Sequence, residues 1–292
     1  MFKRIPCLLL SVVIFFGVLP QQVVAAGSPD TVQSISQNTE SVQPEAASQP
    51  KTHQLFVNGV CINNAKVLYQ KGLAYVSLRS VSQALCPGLT FLWENNIANL
   101  STDNLNVTVD PEKTYVIAND RCLYLADGIL FERGIIYLPA KTIAVIFGAT
   151  YSYDSNTQSI YFRSGSGAIV PADEFYNSDD LYWLSHIIYA ESGNQPLAGK
   201  IAVGNVVLNR VADPAFPNTI YDVVFQKNQF TPTRTGTINL TPNEESVIAA
   251  KLCLEGAVVL PTALFFNHIR SSSWAAKHKT YITTIGGHAF YA

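Results

Sequence analysis

The chain has 292 residues, 48% hydrophobic and 14% charged, with 14 Tyr and 15 Phe, which is enough apolar material for one or two ordinary cores. Its 19 Lys+Arg stand against 21 Asp+Glu, a net charge of −2. That balance excludes a nucleic-acid groove or a surface built for anionic membranes, and the low charge with high aromatic content suits a protein acting outside the cytoplasm on an uncharged polymer.

Residues 1–26 read as a signal peptide. Lys3 and Arg4 form the basic start, and Ile5 to Leu19 is an apolar run broken by Pro6, Ser11 and Gly17. Val24-Ala25-Ala26 supplies the small residues of a cleavage site. The run is short of the roughly 20 residues a membrane span requires, so no stable span is expected; retention as an N-terminal anchor is the alternative. Cys7 lacks the small residues that precede a lipoprotein cleavage site. Export to the cell wall, the extracellular space or a spore envelope follows. Residues 27–53 are rich in Ser, Gln, Thr, Pro and Asn without an aromatic residue, a disordered linker by composition.

Residues 54–163 repeat themselves. Ala74-Tyr75-Val76-Ser77-Leu78-Arg79-Ser80-Val81 matches Ile136-Tyr137-Leu138-Pro139-Ala140-Lys141-Thr142-Ile143 in pattern. A Gly precedes each copy (Gly72, Gly134), an aromatic-acid pair follows each (Trp93-Glu94, Tyr153-Asp154), and Asn58-x-x-Cys61 and Asn119-x-x-Cys122 fall in register. Each copy predicts strand, strand, short helix, strand, strand, with helix starts at Leu78 and Ala140 and both copies in one small α+β domain. The duplication resembles the copper amine oxidase N-terminal-like domain of secreted proteins. That resemblance implies attachment or spacing at the cell envelope; the only His in or near the region is His53, so no copper cluster is indicated.

Residues 164–177 form a second linker, opening Ser-Gly-Ser-Gly, and 178–292 form a helix-rich α+β domain. A helix is expected from about Asp179 to Ser192, with Ser178 as N-cap and Gly193 as stop. Pro196 opens a second helix that Asp213-Pro214 ends. Thr219 and Asp222 start a short one through Phe225. Thr241-Pro242-Asn243-Glu244 reads as a capping box with Pro at N1, for a helix ending near Gly256. Strand-like runs at 263–267 and 281–285, with Gly286-Gly287 before His288-Ala289-Phe290-Tyr291, predict a late β-hairpin.

Glu191 falls on the apolar face of its helix, among Leu181, Ile188, Leu184, Ile187 and Trp183. One alternative is a frayed, solvated last turn. The other is chemistry: desolvation raises a carboxyl pKa, and a carboxylic acid that stays protonated near neutrality is a general acid.

Tyr189-Ala190-Glu191-Ser192, the helix 201–211, Phe216-Pro217-Asn218-Thr219-Ile220, Gln229-Phe230-Thr231, Ala263-Leu264-Phe265-Phe266-Asn267 and Thr284-Ile285-Gly286-Gly287-His288-Ala289-Phe290-Tyr291 occur in the order seen in the SleB/CwlJ-type cell-wall hydrolases. The match covers roughly Leu181 to Ala292, and the Glu-Ser pair also resembles the motif of lysozyme-like lytic transglycosylases. Ser192-Gly193-Asn194-Gln195 and Asn267-His268 depart from the usual family wording. The resemblance implies a lysozyme-like fold, peptidoglycan glycan strands as partner, and cleavage between N-acetylmuramic acid and N-acetylglucosamine with Glu191 as acid. No second carboxylate sits in an obvious motif, so a single acid that serves first as acid and then as base is expected, giving a 1,6-anhydro end. Gln229 and Asn267 are candidates to bind N-acetyl groups, Phe230, Phe266 and Tyr291 to stack on sugars, and His288 to line the cleft; core packing is the competing reading for each aromatic. Ser192 reads as a helix-end hydrogen bonder. A hydrolytic muramidase, an amidase and a non-catalytic peptidoglycan-binding protein are the alternatives.

His268, His278 and His288 recur at intervals of ten without HExxH or an intervening carboxylate, so neither metal nor cofactor is expected. Four cysteines lie beyond the leader. Cys61 and Cys122 hold equivalent repeat positions, and Cys253 reads as a free, buried thiol.

Overall fold

The computed structural model describes residues 54–63 and 65–292; the leader and first linker expected over residues 1–53 lie outside them. Strands β1 (Leu55–Val57) and β2 (Val60–Cys61) form a hairpin. β3 (Val67–Gln70) and β4 (Leu73–Ser77) form another and run into α1 (Leu78–Leu85), then β5 (Thr90–Glu94), β6 (Ile97–Ser101) and β7 (Asn106–Val109). The pattern restarts with β8 (Tyr115–Ala118), β9 (Arg121–Tyr124), β10 (Leu130–Glu132), β11 (Ile135–Pro139), α2 (Ala140–Ile146), β12 (Thr150–Asp154) and β13 (Ser159–Arg163). Both helices start where the repeat predicts. The β3–β4 and β10–β11 turns carry Lys71-Gly72 and Arg133-Gly134, all four at positive φ, the backbone of a tight hairpin turn that matches strand twist.

The copies meet at β4 and β11, where Val76 pairs with its own counterpart Leu138, so a local two-fold passes between these strands in the sheet β10-β11-β4-β3. The first hairpin of each copy joins the sheet of the other. β1 runs parallel to β13, giving β12-β13-β1-β2, while β8 reaches β6 only through the inserted β7, giving β5-β6-β7-β8-β9. Neither copy therefore has a complete sheet alone, and one core, including the fully buried Val76, Leu78, Leu138, Ile143 and Ile160, serves both. Burying each such side chain contributes about 1.5–3 kcal/mol.

Helix α3 (Ala172–Phe175) follows in the connecting segment, then α4 (Ser178–Ser192), α5 (Leu197–Ala212), α6 (Ile220–Phe225), α7 (Thr231–Thr235), a 3-10 turn at Thr237–Asn239 and α8 (Glu244–Leu254). β14 (Phe265–His268), α9 (Trp274–His278), β15 (Tyr281–Ile285) and β16 (His288–Tyr291) complete the chain, with sheet order β14-β16-β15. The helix-rich α+β reading with a late hairpin holds. α4 is the central helix and touches α5, α6, α7 and α8. Gly204 marks where α4, α5 and α8 come closest: a Cβ there would lie 2.6 Å from Cys253 Sγ and 3.0 Å from Ile188 Cδ1. Among the described residues no helix is long and apolar enough to cross a membrane.

Two cap assignments differ from expectation. α4 is capped by Asn177, whose Oδ1 accepts from the Asp179 and Asp180 N–H groups at 3.0 Å, and Ser178 is already helical. α8 is capped by Asn243, which accepts from Ser246 N–H at 3.0 Å, so Thr241 lies outside the helix. In both places an extended Asn supplies a better-placed acceptor than the neighbouring hydroxyl. Gly193 keeps a right-handed φ of −54°; a Cβ would sit 2.7 Å from Tyr189 O, so close packing rather than a left-handed stop selects glycine.

The segment 164–177 is packed rather than slack. Ile169 and Tyr176 are buried, and Asn119 Nδ2 donates to Ile169 C=O at 2.9 Å. All four described cysteines are free; Cys61 and Cys122 lie in different sheets, and burial pushes the Cys253 thiol up to about 12.

Candidate active site

Glu191 occupies the last turn of α4, whose Leu184, Ile187 and Ile188 are fully buried. Its carboxyl group is partly buried, and among the described residues no hydrogen bond or ion pair reaches it. Desolvation alone raises its pKa from 4.5 to about 7. The other acids of this region are all engaged or in open first turns. Asp213 accepts from Ala215 N–H, Asp222 from the Thr219 hydroxyl, Glu245 pairs with the buried Lys200, and Glu255 with Arg121. Asp173, Glu174, Asp179, Asp180 and Glu244 sit in helix first turns, where the N-terminal dipole stabilises their charge. Glu191 thus differs in kind from its neighbours.

Gln195, four residues on, was not singled out by the sequence. Its Oε1 accepts from Gly287 N–H at 2.7 Å and its Nε2 donates to Asn194 Oδ1 at 2.8 Å. Gly286, at φ +57°, turns the β15–β16 hairpin there, and a Cβ on it would collide with Gln195 Oε1. Asn243 Nδ2 also donates to Gly193 C=O at 3.3 Å. The end of α4 is therefore tied to the hairpin turn and to the start of α8, which fixes the backbone on either side of the acid. Ser192 is buried and its hydroxyl donates to Ile188 C=O at 2.6 Å, as a helix-end hydrogen bonder does.

The remaining sequence candidates divide between the two faces of the late sheet, because cross-strand partners share a face and successive residues alternate. Phe266 pairs with Phe290 and His268 with His288, on the face toward α5; Phe266 lies 5.4 Å from the His288 ring and 6.3 Å from Phe230. Asn267 and Tyr291 face the other way. Tyr291 is buried with Ala275, Ala289 and Phe265, so its ring offers no stacking platform. Asn267 is spent on its own loop: Nδ2 donates to His268 and Ser271 C=O, and Oδ1 accepts from the Ser273 hydroxyl at 2.7 Å. Phe230 is also buried and walls the Arg210 guanidinium, 5.2 Å from its ring and bounded further by Phe216 and Phe265. Burial lowers Arg210 to about 10, and its Nε donates to Leu264 C=O at 2.8 Å. The stacking expectation for Tyr291 thus gives way to core packing, its competing reading, while Phe230, buried as it is, still lends an edge to a neighbouring cavity. His288 is buried with Nδ1 unpartnered, and burial, then His268, lowers its pKa. Phe266 and His288 remain candidates, and Gln229 is exposed.

Beside Gln229 a cavity of about 460 Å³ has Phe225, Gln226, Lys227, Asn228, Phe230 and Arg234 among its lining residues. Next to it the sequence reading missed an aromatic cluster: Trp183 meets Phe225 at 4.9 Å and Tyr221 at 5.5 Å, and Tyr182 stacks on His186 at 4.1 Å. Its signal is the recurrence of aromatics at 182, 183, 221 and 225 on two contacting helices. Among the described residues no group of three or more His, Cys, Asp and Glu is placed to hold a metal. His278 caps its own helix, with Nδ1 2.9 Å from Trp274 C=O.

Residues 194–291 match the Cell Wall Hydrolase family, and residues 56–162 match the copper amine oxidase N-terminal domain. A spore cortex-lytic enzyme of Bacillus cereus is 35% identical over 116 residues, 39% of this chain and 45% of the relative. That of Oceanobacillus iheyensis is 30% identical over 128 residues, 44% and 46% of the two chains. The catalytic domain of a germination-specific lytic transglycosylase from Bacillus anthracis is 33% identical; it aligns over its whole length with 42% of this chain, at a TM-score of 0.39. The chain spans less than half the length of these curated relatives. Its C-terminal part thus resembles the cell wall hydrolases, and its duplicated part the copper amine oxidase N-terminal domains. The family match begins at residue 194, three positions beyond Glu191.

Proposed function

We propose that this protein is an exported enzyme that cleaves peptidoglycan at the bond between N-acetylmuramic acid and N-acetylglucosamine, as a lytic transglycosylase with Glu191 as sole acid and base. The observation that carries the reading is a lone, partly buried carboxyl group with pKa about 7 at the end of a rigidly tied helix. Protonated Glu191 gives its proton to the glycosidic oxygen as the bond breaks. The developing cation at the muramyl carbon is stabilised by the substrate's own N-acetyl group. The carboxylate then removes the proton of the muramyl C6 hydroxyl, whose oxygen closes on the anomeric carbon, so one proton cycles and no water is consumed. Such a dual role works best with a pKa between the free value and the operating pH. The 460 Å³ cavity, with amides and cations beside exposed aromatics, suits uncharged N-acetyl sugars whose attached stem peptides carry the carboxylates. The names of the curated relatives point to spore cortex as the form of peptidoglycan attacked.

The test is Glu191→Gln, assayed by loss of turbidity of purified cortex and vegetative sacculi. General acid-base catalysis is worth about 10²–10⁴-fold, and a loss of that order with an unchanged circular dichroism spectrum is expected. Near-parental lysis by the variant would remove Glu191 from the mechanism.

A further inference from the structure

A second cavity, of about 330 Å³, lies in the duplicated domain and has no part in the chemistry at Glu191. The first copy contributes Arg79, Phe91, Trp93 and Asn96 to it, and the β10–β11 hairpin of the second contributes Phe131 and Ile135. Trp93 and Phe131 stack with centroids 5.5 Å apart and planes at 19°, yet they remain 37% and 48% exposed. The Arg79 guanidinium sits 4.1 Å from the Phe91 centroid, and among the described residues no carboxylate pairs with it. Core packing explains the buried residues of the repeat, but it gives no reason to hold a stacked aromatic pair and an unpaired cation at an open cleft.

The local two-fold supplies an independent observation. The positions matching Arg79, Phe91, Trp93 and Phe131 are Lys141, Tyr151, Tyr153 and Tyr69, again a cation and three aromatics. The Tyr69 and Tyr153 rings also meet across the copies, edge to face with centroids 6.4 Å apart, where Trp93 and Phe131 stack. Both halves of the domain therefore build an aromatic pair from different copies, with a cation at the second residue of the adjoining helix.

We propose that the Arg79–Trp93–Phe131 cleft binds a glycan strand whose sugars carry a carboxylate. The C–H faces of a sugar ring lie on the exposed aromatic surface, Asn96 meets a polar substituent, and Arg79 pairs with the acid, as on the free lactyl group of a muramyl residue that carries no stem peptide. The cavity is at the lower end of the range for small-ligand pockets, about 300–1,000 Å³, which suits one or two sugar units of a longer chain. The inference rests on the glycan-cleaving reading only for the choice of polymer.

The full chain bearing Glu191→Gln, labelled with 5-fluorotryptophan, tests it. The chain has three Trp, and Trp93→Phe assigns the Trp93 fluorine resonance. A tetrasaccharide of alternating N-acetylglucosamine and N-acetylmuramic acid is expected to shift that resonance saturably. Chitotetraose, which lacks the carboxylate, is expected to bind about tenfold more weakly, the worth of one charge-assisted contact, and Arg79→Gln to erase the difference. A Trp93 resonance unmoved by either sugar would overturn the proposal and leave a face that docks another polypeptide. Equal binding of both sugars, indifferent to Arg79→Gln, would overturn it too. The readout involves no turnover: if unsubstituted enzyme lyses sacculi while the Trp93 signal stays still, this inference fails and the catalytic reading stands, and the converse pattern separates them the other way.

Discussion

At Glu191 one physical cause sets expectations for both turnover and stability. The folded carboxyl titrates near 7 and the unfolded one near 4.5. Between those values the folded state keeps a proton that the unfolded state has lost, so this group's contribution to stability falls as pH rises from about 4.5 to 7 and is level above that. The full difference is on the order of 3 kcal/mol. Glu191→Gln should therefore melt higher than the parent above pH 7 and with it below pH 4, read by thermal unfolding across pH; a constant offset would mean the acid is not desolvated. Activity, which starts from the protonated acid, should decline as pH rises through about 7, and a lysis profile flat to pH 9 would contradict the assignment. Periodicity alone placed this residue on the apolar face of α4, and burial followed from that. Its lack of a partner depends on where Lys200, Arg121 and Thr219 find their acids, which no local pattern encodes. The same limit explains Phe230 and Tyr291: a sequence order shows that an aromatic is present, while the alternation of β16 and the Arg210 box decide whether its face meets solvent.

The elements around the acid were readable to within a residue or so, because their signals are local: Thr219 caps α6 through Asp222 N–H, and Asp213 ends α5. The misplaced caps at Asn177 and Asn243 come from competition among adjacent capping residues, settled by backbone angles that a motif does not carry. Long-range ties were not readable. Asn205 on α5 donates to Ala257 C=O at 2.8 Å and accepts from Val259 and Leu260 N–H, pinning the loop after α8. Asn205→Ala leaves these groups without partners and should cost about 2–4 kcal/mol in urea denaturation; a cost under 1 kcal/mol would mean the loop is held by other contacts. Gln195→Ala, which frees the hairpin turn from the end of α4, should lower the lysis rate several-fold with a stability loss of only about 1 kcal/mol. An unchanged rate would show that the tie does not position the site.

Across the whole molecule, the duplication was visible in the sequence, but the exchange of first hairpins between copies was not, since strand pairing across about 100 residues leaves no local mark. The join to the C-terminal domain was equally hidden. Arg121 on β9 makes a bidentate pair with Glu255 at 2.6 and 2.8 Å, Tyr176 donates to Glu255 at 2.9 Å, and Phe175 stacks on the Arg121 guanidinium at 3.3 Å. Breaking a buried pair by removing one partner costs about 3–5 kcal/mol. Glu255→Ala should split the calorimetric unfolding of the chain into two transitions, whereas one unshifted transition would mean the domains are not held by this clamp. The central claim concerns chemistry at one acid without water, and digestion of sacculi in heavy-oxygen water, followed by mass spectrometry of the released glycan ends, tests it most directly. The account predicts 1,6-anhydro-muramyl ends free of the heavy isotope, and none when Glu191 is replaced by Gln; reducing muramyl ends that carry the isotope, or released peptides with intact glycan, would contradict it.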